Sequence, residues 1–159
     1  MGKGDLLSKI LPSGRGVWVP IDHGVSDYPV EGLKDTESTI KSLISAGVDA
    51  IIAHKGIVGH YHKLCENTNT SMIVHLSAST RHGGSEASNK VLVGSVDEVR
   101  KRGGVGVSCQ VNMGSVKEPE MMERMGEISR QAVLEGLPMF GMVYARGPNL
   151  NIMEEDVTK

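Results

Sequence analysis

The chain has 159 residues, which is enough for one domain or for part of a larger one. Seventeen Lys and Arg residues and nineteen Asp and Glu residues give a formal net charge of −2, which leaves no electrostatic argument for a nucleic-acid or membrane-surface partner. The hydrophobic fraction of 39% is large enough for a packed core and excludes wholesale disorder.

Two features of the sequence predict the cellular location. The two cysteines, Cys65 and Cys109, cannot form a disulfide scaffold and indicate a reducing compartment. No apolar run reaches the roughly 18 residues that a membrane-spanning helix needs, and the N-terminal apolar run is too short for a secretory signal. We therefore expect a cytoplasmic protein with no membrane partner and no nucleic-acid partner.

Apolar runs rich in β-branched residues alternate with helical patterns along the chain. Strands are predicted over residues 17–21, 48–54, 71–76, 105–111 and 138–144. The helix after the first strand should begin near Asp35 and end at Gly47. A capping box at Ser95 predicts a short helix that ends at Gly103, and the clearest helix has Pro119 in its first turn.

This alternation predicts a parallel sheet whose strands are buried on both faces. Five units in 159 residues correspond to about 32 residues per unit, and eight would need about 254, close to the roughly 250 of a typical (β/α)8 barrel. The glycine fingerprint of a dinucleotide-binding sheet is absent after the first strand. We therefore predict an α/β fold, the (β/α)8 TIM barrel, of which this chain supplies about the first five units. In such a piece we expect Ile51, Val74, Val107 and Met142 to face water.

Polar side chains follow every predicted strand. They are Asp22 and His23 after the first, His54 and Lys55 after the second, His75, Ser77 and Ser79 after the third, Asn112 after the fourth, and Tyr144 and Arg146 after the fifth. In a parallel barrel these strand ends meet on the face where active sites lie, so the sequence predicts a functional site there.

Two groups among these residues have competing interpretations. His23, His54 and His75 would suit a zinc site if they converged, although no carboxylate lies at ligand spacing. Lys55, the only lysine at a predicted strand end, is either a Schiff-base amine or, as is more common for an exposed lysine, a partner of a phosphate or carboxylate. A metal-dependent lyase therefore stays open beside an enzyme without a metal.

A series of motifs covers almost the whole chain. In order they are V-P-I-D-H-G-V-S (19–26), A-G-V-D-A-I-I-A-H-K-G-I-V (46–58), H-L-S-A-S-T (75–80), N-K-V-L-V-G-S-V (89–96), V-N-M-G-S (111–115) and Y-A-R-G-P (144–148). The ordered set resembles the archaeal-type class I aldolases. Within that family, D-H-G-V-S together with H-L-S-A-S-T resembles a branch of synthases more than the fructose-1,6-bisphosphate aldolases.

The resemblance implies a barrel enzyme that forms a lysine Schiff base with a ketose phosphate and needs no cofactor and no metal. Asp22 matches the family's proton acceptor, and Tyr144 matches its proton donor. The matching substrate-binding residues are Asp22, His23, Gly24, Val25, Ser26, Tyr144, Ala145 and Arg146. The synthase branch implies sugar-phosphate and small aldehyde substrates, the aldehyde being aspartate semialdehyde, in a route to 3-dehydroquinate and aromatic amino acids. Its relatives imply a homo-oligomer when the chain is complete.

The sequence departs from the family pattern mainly at its end. The family's Schiff-base lysine lies on the sixth strand, and Lys159, in a polar tail, cannot replace it. Ala145 stands where the family commonly has proline. We therefore expect residues 1–159 to be the N-terminal part of a single aldolase-type barrel domain, truncated before strand six and inactive alone. A class I fructose-1,6-bisphosphate aldolase and a non-catalytic, truncated ligand- or partner-binding protein are the alternatives.

Overall fold

The structure is a computed structural model that describes residues 2–147. Its helices are α1 (Lys3–Ile10), α2 (His23–Ser26), α3 (Thr36–Ser45), α4 (Lys55–Tyr61) and α5 (Glu118–Leu134). Its strands are β1 (Trp18–Pro20), β2 (Ala50–His54), β3 (Ser71–His75), β4 (Ser77–Ala78), β5 (Val91–Leu92), β6 (Gly106–Met113) and β7 (Met139–Ala145). Lys159 and the end of the Y-A-R-G-P motif lie outside the described residues. None of the helices within residues 2–147 is long and apolar enough to cross a membrane.

Five strands form one parallel sheet in the order β1-β2-β3-β6-β7. The register places His54 opposite His75 and Asn112 opposite Tyr144, so the strand ends lie side by side. Strands β4 and β5 form a separate antiparallel pair, inserted between β3 and β6. The five parallel strands are neighbours in the same order as the first five strands of a (β/α)8 barrel, which confirms the predicted fold.

Local signals fix the helix boundaries that the sequence predicted. The Asp35 carboxylate accepts a hydrogen bond from the backbone N–H of Ser38 at 3.0 Å and so caps α3, which is followed by Gly47 at φ 76°. The capping box at Ser95 is present, although the helix it starts is a short 3₁₀ segment, Val96–Glu98. A second 3₁₀ turn follows, and Gly103 ends it in the left-handed region at φ 83°.

The outer face of the sheet packs against the helices. Ile51, Val74 and Val107 are fully buried there, in the core that also contains Ile40 of α3 and Ile128 of α5. The expectation that these three side chains face water is therefore wrong. Because side chains alternate along a strand, they point toward the helices and not toward the barrel interior.

The inner face of the sheet is covered at one end by α1, a helix that the sequence analysis did not predict. Ile10 of α1 is fully buried against Ile52 and Ile73, and its carbonyl accepts a hydrogen bond from Trp18 Nε1 at 2.7 Å. Met142, predicted to be exposed, is half-buried beside this cluster. The inner face is therefore apolar near α1, and its polar side chains lie toward the strand ends.

Candidate active site

A polar cavity of about 510 Å³ opens at the carboxyl ends of the strands. Asp22 after β1, Asn112 in β6, Tyr144 in β7, Arg146 after β7 and Lys90 before β5 line it. The predicted convergence of polar strand ends is therefore present. Two strands at opposite edges of the sheet contribute Asp22 and Tyr144 to one cavity, because the sheet curves as a barrel wall does.

Asp22 is held between a strand and a helix. It is the second residue after the end of β1, and it immediately precedes α2. Its side chain is 15% exposed, with Oδ2 at 3.6 Å from Nε2 of His75 and Oδ1 at 4.0 Å from Nδ1 of His23. The carboxylate thus faces the cavity from a fixed position beside two imidazoles.

His75 is the buried neighbour of that carboxylate. It is 1% exposed, with Nδ1 at 2.8 Å from Oγ of Ser108 and Nε2 at 3.3 Å from Oγ of Ser77. Burial lowers the pKa of His75 to about 4, and the nearby Asp22 charge opposes that effect only in part. The ring is therefore neutral near pH 7, and its contact with Asp22 is not an ion pair.

His54 is the second imidazole of this layer. Its Nδ1 lies 3.2 Å from the carbonyl oxygen of His75, and the two rings meet edge-on with centroids 5.4 Å apart. Burial lowers the pKa of His54 as well. Two neutral imidazoles therefore lie beneath the mouth of the cavity, where they add hydrogen-bonding capacity without adding positive charge.

Tyr144 and Arg146 form the opposite wall. The Arg146 guanidinium stacks over the Tyr144 ring at 4.3 Å from its centroid, and the Arg146 backbone N–H donates to the Met113 carbonyl at 3.0 Å. Tyr144 is 37% exposed, so its hydroxyl is open to a ligand. The strand pairing and the stacked cation together orient the phenol toward the cavity.

The D-H-G-V-S segment is divided between two cavities. His23 and Ser26 line the polar cavity, whereas Gly24 and Val25 line an adjacent, more apolar cavity of about 570 Å³. Asp22 lines both cavities. Of the residues that the resemblance implies for substrate binding, Ala145 is an exposed residue of β7 that lines neither cavity.

Lys55 is engaged elsewhere. It is the first residue of α4, and its Nζ forms an ion pair with Oε1 of Glu98 at 3.2 Å. Glu98 also receives Nε of Arg102 at 2.6 Å, so both of its oxygens are bound. The structure therefore gives Lys55 the role of a carboxylate partner, one of the two interpretations that the sequence left open.

The three strand-end histidines do not form a metal site. In residues 2–147 no three His, Cys, Asp or Glu side chains are grouped so that they could hold a metal ion. His54 and His75 direct ring nitrogens to a backbone carbonyl and to serine hydroxyls, and the His23 side chain is 57% exposed. The donor arrangement therefore does not support the zinc interpretation.

Sequence reasoning missed Lys90. It precedes the two-residue strand β5, which is not a barrel strand, so it does not lie at a predicted strand end. Lys55 is the only lysine at a predicted strand end, but the lysine that lines the polar cavity is Lys90, which lies outside those ends. Lys90 is part of the N-K-V-L-V-G-S-V motif, but that motif does not predict that its side chain reaches the polar cavity.

The fold and the cavity at its strand ends define an aldolase-type barrel. The chain belongs to the DeoC/LacD family of aldolases, which it matches over residues 16–158. Similar proteins include 2-amino-3,7-dideoxy-D-threo-hept-6-ulosonate synthases of Halobacterium salinarum, 33% identical over 94% of this chain and 56% of the relative, and of Archaeoglobus fulgidus, 33% identical over 99% and 58%. A 2-amino-4,5-dihydroxy-6-oxo-7-(phosphonooxy)heptanoate synthase of Streptomyces griseus is 36% identical over 84% and 48%.

Solved structures give the same fold. A Schiff-base-forming fructose-1,6-bisphosphate aldolase superposes with a TM-score of 0.80 at 24% identity, over 94% of this chain and 60% of that one. An archaeal fructose-1,6-bisphosphate aldolase superposes with a TM-score of 0.78 at 25% identity, over the same shares of 94% and 60%. The chain spans about half the length of the curated relatives it matches.

Proposed function

We propose that this chain is the N-terminal part of a Schiff-base class I aldolase-type enzyme, a 2-amino-3,7-dideoxy-D-threo-hept-6-ulosonate synthase. It would join a ketose phosphate donor to aspartate semialdehyde in a route to 3-dehydroquinate and aromatic amino acids. The observation that carries the proposal is that Asp22 and Tyr144 line one cavity at the strand ends. Residues 1–159 would supply five of the eight barrel units, with the Schiff-base lysine on the sixth strand of a longer protein.

The geometry suits the proton transfers of that reaction. Imine formation and carbon–carbon bond cleavage or formation each require a proton to move, while the iminium accepts the electron pair of the breaking bond. The Asp22 carboxylate accepts the proton of the reacting hydroxyl, and the Tyr144 phenol returns one to the other fragment. Because burial lowers the pKa of His75 and His54, neither imidazole carries a charge that would neutralise the carboxylate at pH 7.

The substrate class follows from the relatives rather than from the barrel. The synthases named above are 33% to 36% identical to this chain, whereas a class 1 fructose-bisphosphate aldolase of Thermoproteus tenax is 27% identical. This difference favours the synthase. The fold similarity to solved fructose-1,6-bisphosphate aldolases supports that aldolase as the second candidate.

The cellular location and the oligomeric state complete the proposal. Burial raises the pKa of Cys109 to about 12 and also raises that of Cys65, so both thiols are unreactive, as suits a reducing cytoplasm. A homo-oligomer is proposed on the family resemblance alone.

A product assay tests the function in the full-length protein that contains this chain. With a ketose phosphate and aspartate semialdehyde we expect the heptulosonate product by mass spectrometry, at a rate well above the cleavage of fructose 1,6-bisphosphate. Faster cleavage of fructose 1,6-bisphosphate would overturn the synthase assignment. If the folded protein showed neither of these two activities, that result would favour the non-catalytic alternative.

A further inference from the structure

Lys90 is a buried lysine that the mechanism above does not use. The residue is 9% exposed, and its backbone carbonyl accepts a hydrogen bond from Nη1 of Arg124 at 2.9 Å. The same Arg124 nitrogen donates to the side chain of Asn89 at 2.7 Å. Lys90 is thus held in place by α5, with its side chain directed into the polar cavity.

The ammonium group of Lys90 has little to bind within the protein. In the described part of the chain its Nζ makes one hydrogen bond, to Oγ of Ser26 at 3.3 Å, and no carboxylate lies within 4.0 Å of it. Four lysines that are more exposed each have a glutamate partner, namely Lys34, Lys41, Lys55 and Lys117. A buried cation normally has a paired anion, because its desolvation is costly.

A second cation shares the cavity. Burial lowers the pKa of Lys90, Asp22 opposes that effect, and the positive charge of Arg146 lowers the pKa further. Each of the nearby amide groups already uses one of its N–H donors, since Gln110 donates to Asn112 at 2.7 Å and Asn112 donates to the Ser88 carbonyl at 2.7 Å. A third cation that lines the cavity, Arg81, is paired with Asp27 at 3.6 Å. Lys90 and Arg146 are therefore the cations left to bind a ligand in this cavity.

We propose that Lys90 is a substrate-binding residue, which with Arg146 forms a cationic subsite that takes an anionic oxygen group, a carboxylate or a phosphate, of the substrate. That the anion belongs to an aldol substrate rests on the proposed function. The subsite places the anion in the cavity that Asp22 and Tyr144 share, so it fixes the substrate relative to both groups.

A binding experiment tests the subsite without any reaction. The ¹³Cε resonance of Lys90 is followed in the full-length protein while inorganic phosphate or succinate is added. We expect a saturable shift and affinity that falls as pH rises through the pKa of Lys90, because only the charged amine binds. In isothermal titration calorimetry, which needs no Lys90 resonance, Lys90→Met should lose about tenfold or more of the affinity, Lys90→Arg should retain most of it, and the surface control Lys41→Met should leave it unchanged. No shift with either anion, or equal affinity in Lys90→Met, would overturn the proposal.

Matched substrates then identify which anion binds there. One pair is succinic semialdehyde and its methyl ester, and the other is the ketose phosphate and the ketose without its phosphate. In Lys90→Met we expect KM to rise about tenfold or more for the charged member of one pair, with a change under about twofold for its neutral partner. An equal rise in KM for the charged and the neutral substrate of both pairs would show that Lys90 has only a structural role. If the full-length protein has no aldol activity, the resonance shift still decides the subsite, so the two proposals fail separately.

Discussion

Asp22 lies on the wall between a polar cavity and a more apolar one, and Tyr144 lies across the polar cavity from it. The surroundings of the two side chains differ in a way that suits one to accept a proton and the other to donate one. The carboxylate is 15% exposed beside His75, whereas the phenol is 37% exposed and stacked under Arg146. At the residue scale, we therefore propose that the sheltered carboxylate accepts a proton and that the open phenol donates one.

Asp22→Asn and Tyr144→Phe should each lower turnover in the full-length protein while leaving the fold intact. Both changes keep the size of the side chain and remove its proton-transfer ability, which is worth about 100- to 10,000-fold in rate. Steady-state rates are compared with those of Asp97→Asn and Tyr61→Phe, two positions outside both cavities. A loss under about threefold in both cavity variants would remove these residues from the mechanism.

The protonation state of His75 can be measured directly. Because burial holds its pKa near about 4, its imidazole should stay neutral as the pH falls from 7 to 5, in ¹⁵N spectra of the ring nitrogens. An unfolded histidine titrates near about 6.5, so the unfolded chain gains a proton first. The contribution of the neutral His75 to the free energy of unfolding is therefore complete above about pH 6.5 and is lost as the pH falls toward 4. A resonance that titrates at pH 6 or above, and that disappears in His75→Gln, would contradict this assignment.

At the scale of the elements, the strands and the long helices could be predicted from periodicity and capping, and α4 could not. Gly56 and Gly59 give residues 55–61 a low helix propensity, since glycine is a poor helix former. Tertiary packing overrides that preference, because Val58 is fully buried in the core beneath α4. Helix α1 could not be predicted either, because it is stabilised by tertiary packing: Ile10 packs against Ile52 and Ile73 on the inner face of the sheet.

Gly103 and Gly126 give a matched test of how an element ends. At Gly103, φ is 83° and a Cβ would overlap the ring of His62, whereas at Gly126, inside α5, a Cβ would meet open space. Gly103→Ala should therefore lower the free energy of unfolding by about 1 to 3 kcal/mol. Gly126→Ala should raise it by about 0.4 to 1 kcal/mol. Denaturant unfolding of the full-length protein measures both, and equal effects of one sign would contradict the assigned conformations.

At the scale of the whole molecule, the sequence placed the site at the strand ends because one face of a parallel barrel collects them. Asp22, Asn112, Tyr144 and Arg146 could be found in that way. Lys90 could not, because it reaches the cavity from the β4–β5 insertion, whose place in space does not follow from strand order. The hydrogen-bond partner of the His75 ring was equally out of reach, since Ser108 is 33 positions away along the chain.

We propose that this chain contributes the proton-transfer groups of a Schiff-base enzyme whose amine lies in a further barrel unit. Borohydride reduction of the full-length protein with a ketose phosphate, followed by peptide mass mapping, tests it most directly. We expect one reduced adduct, on a lysine outside residues 1–159, and no adduct when residues 1–159 are treated alone. An adduct on Lys55 or Lys90, or none in a protein that catalyses the reaction, would contradict it.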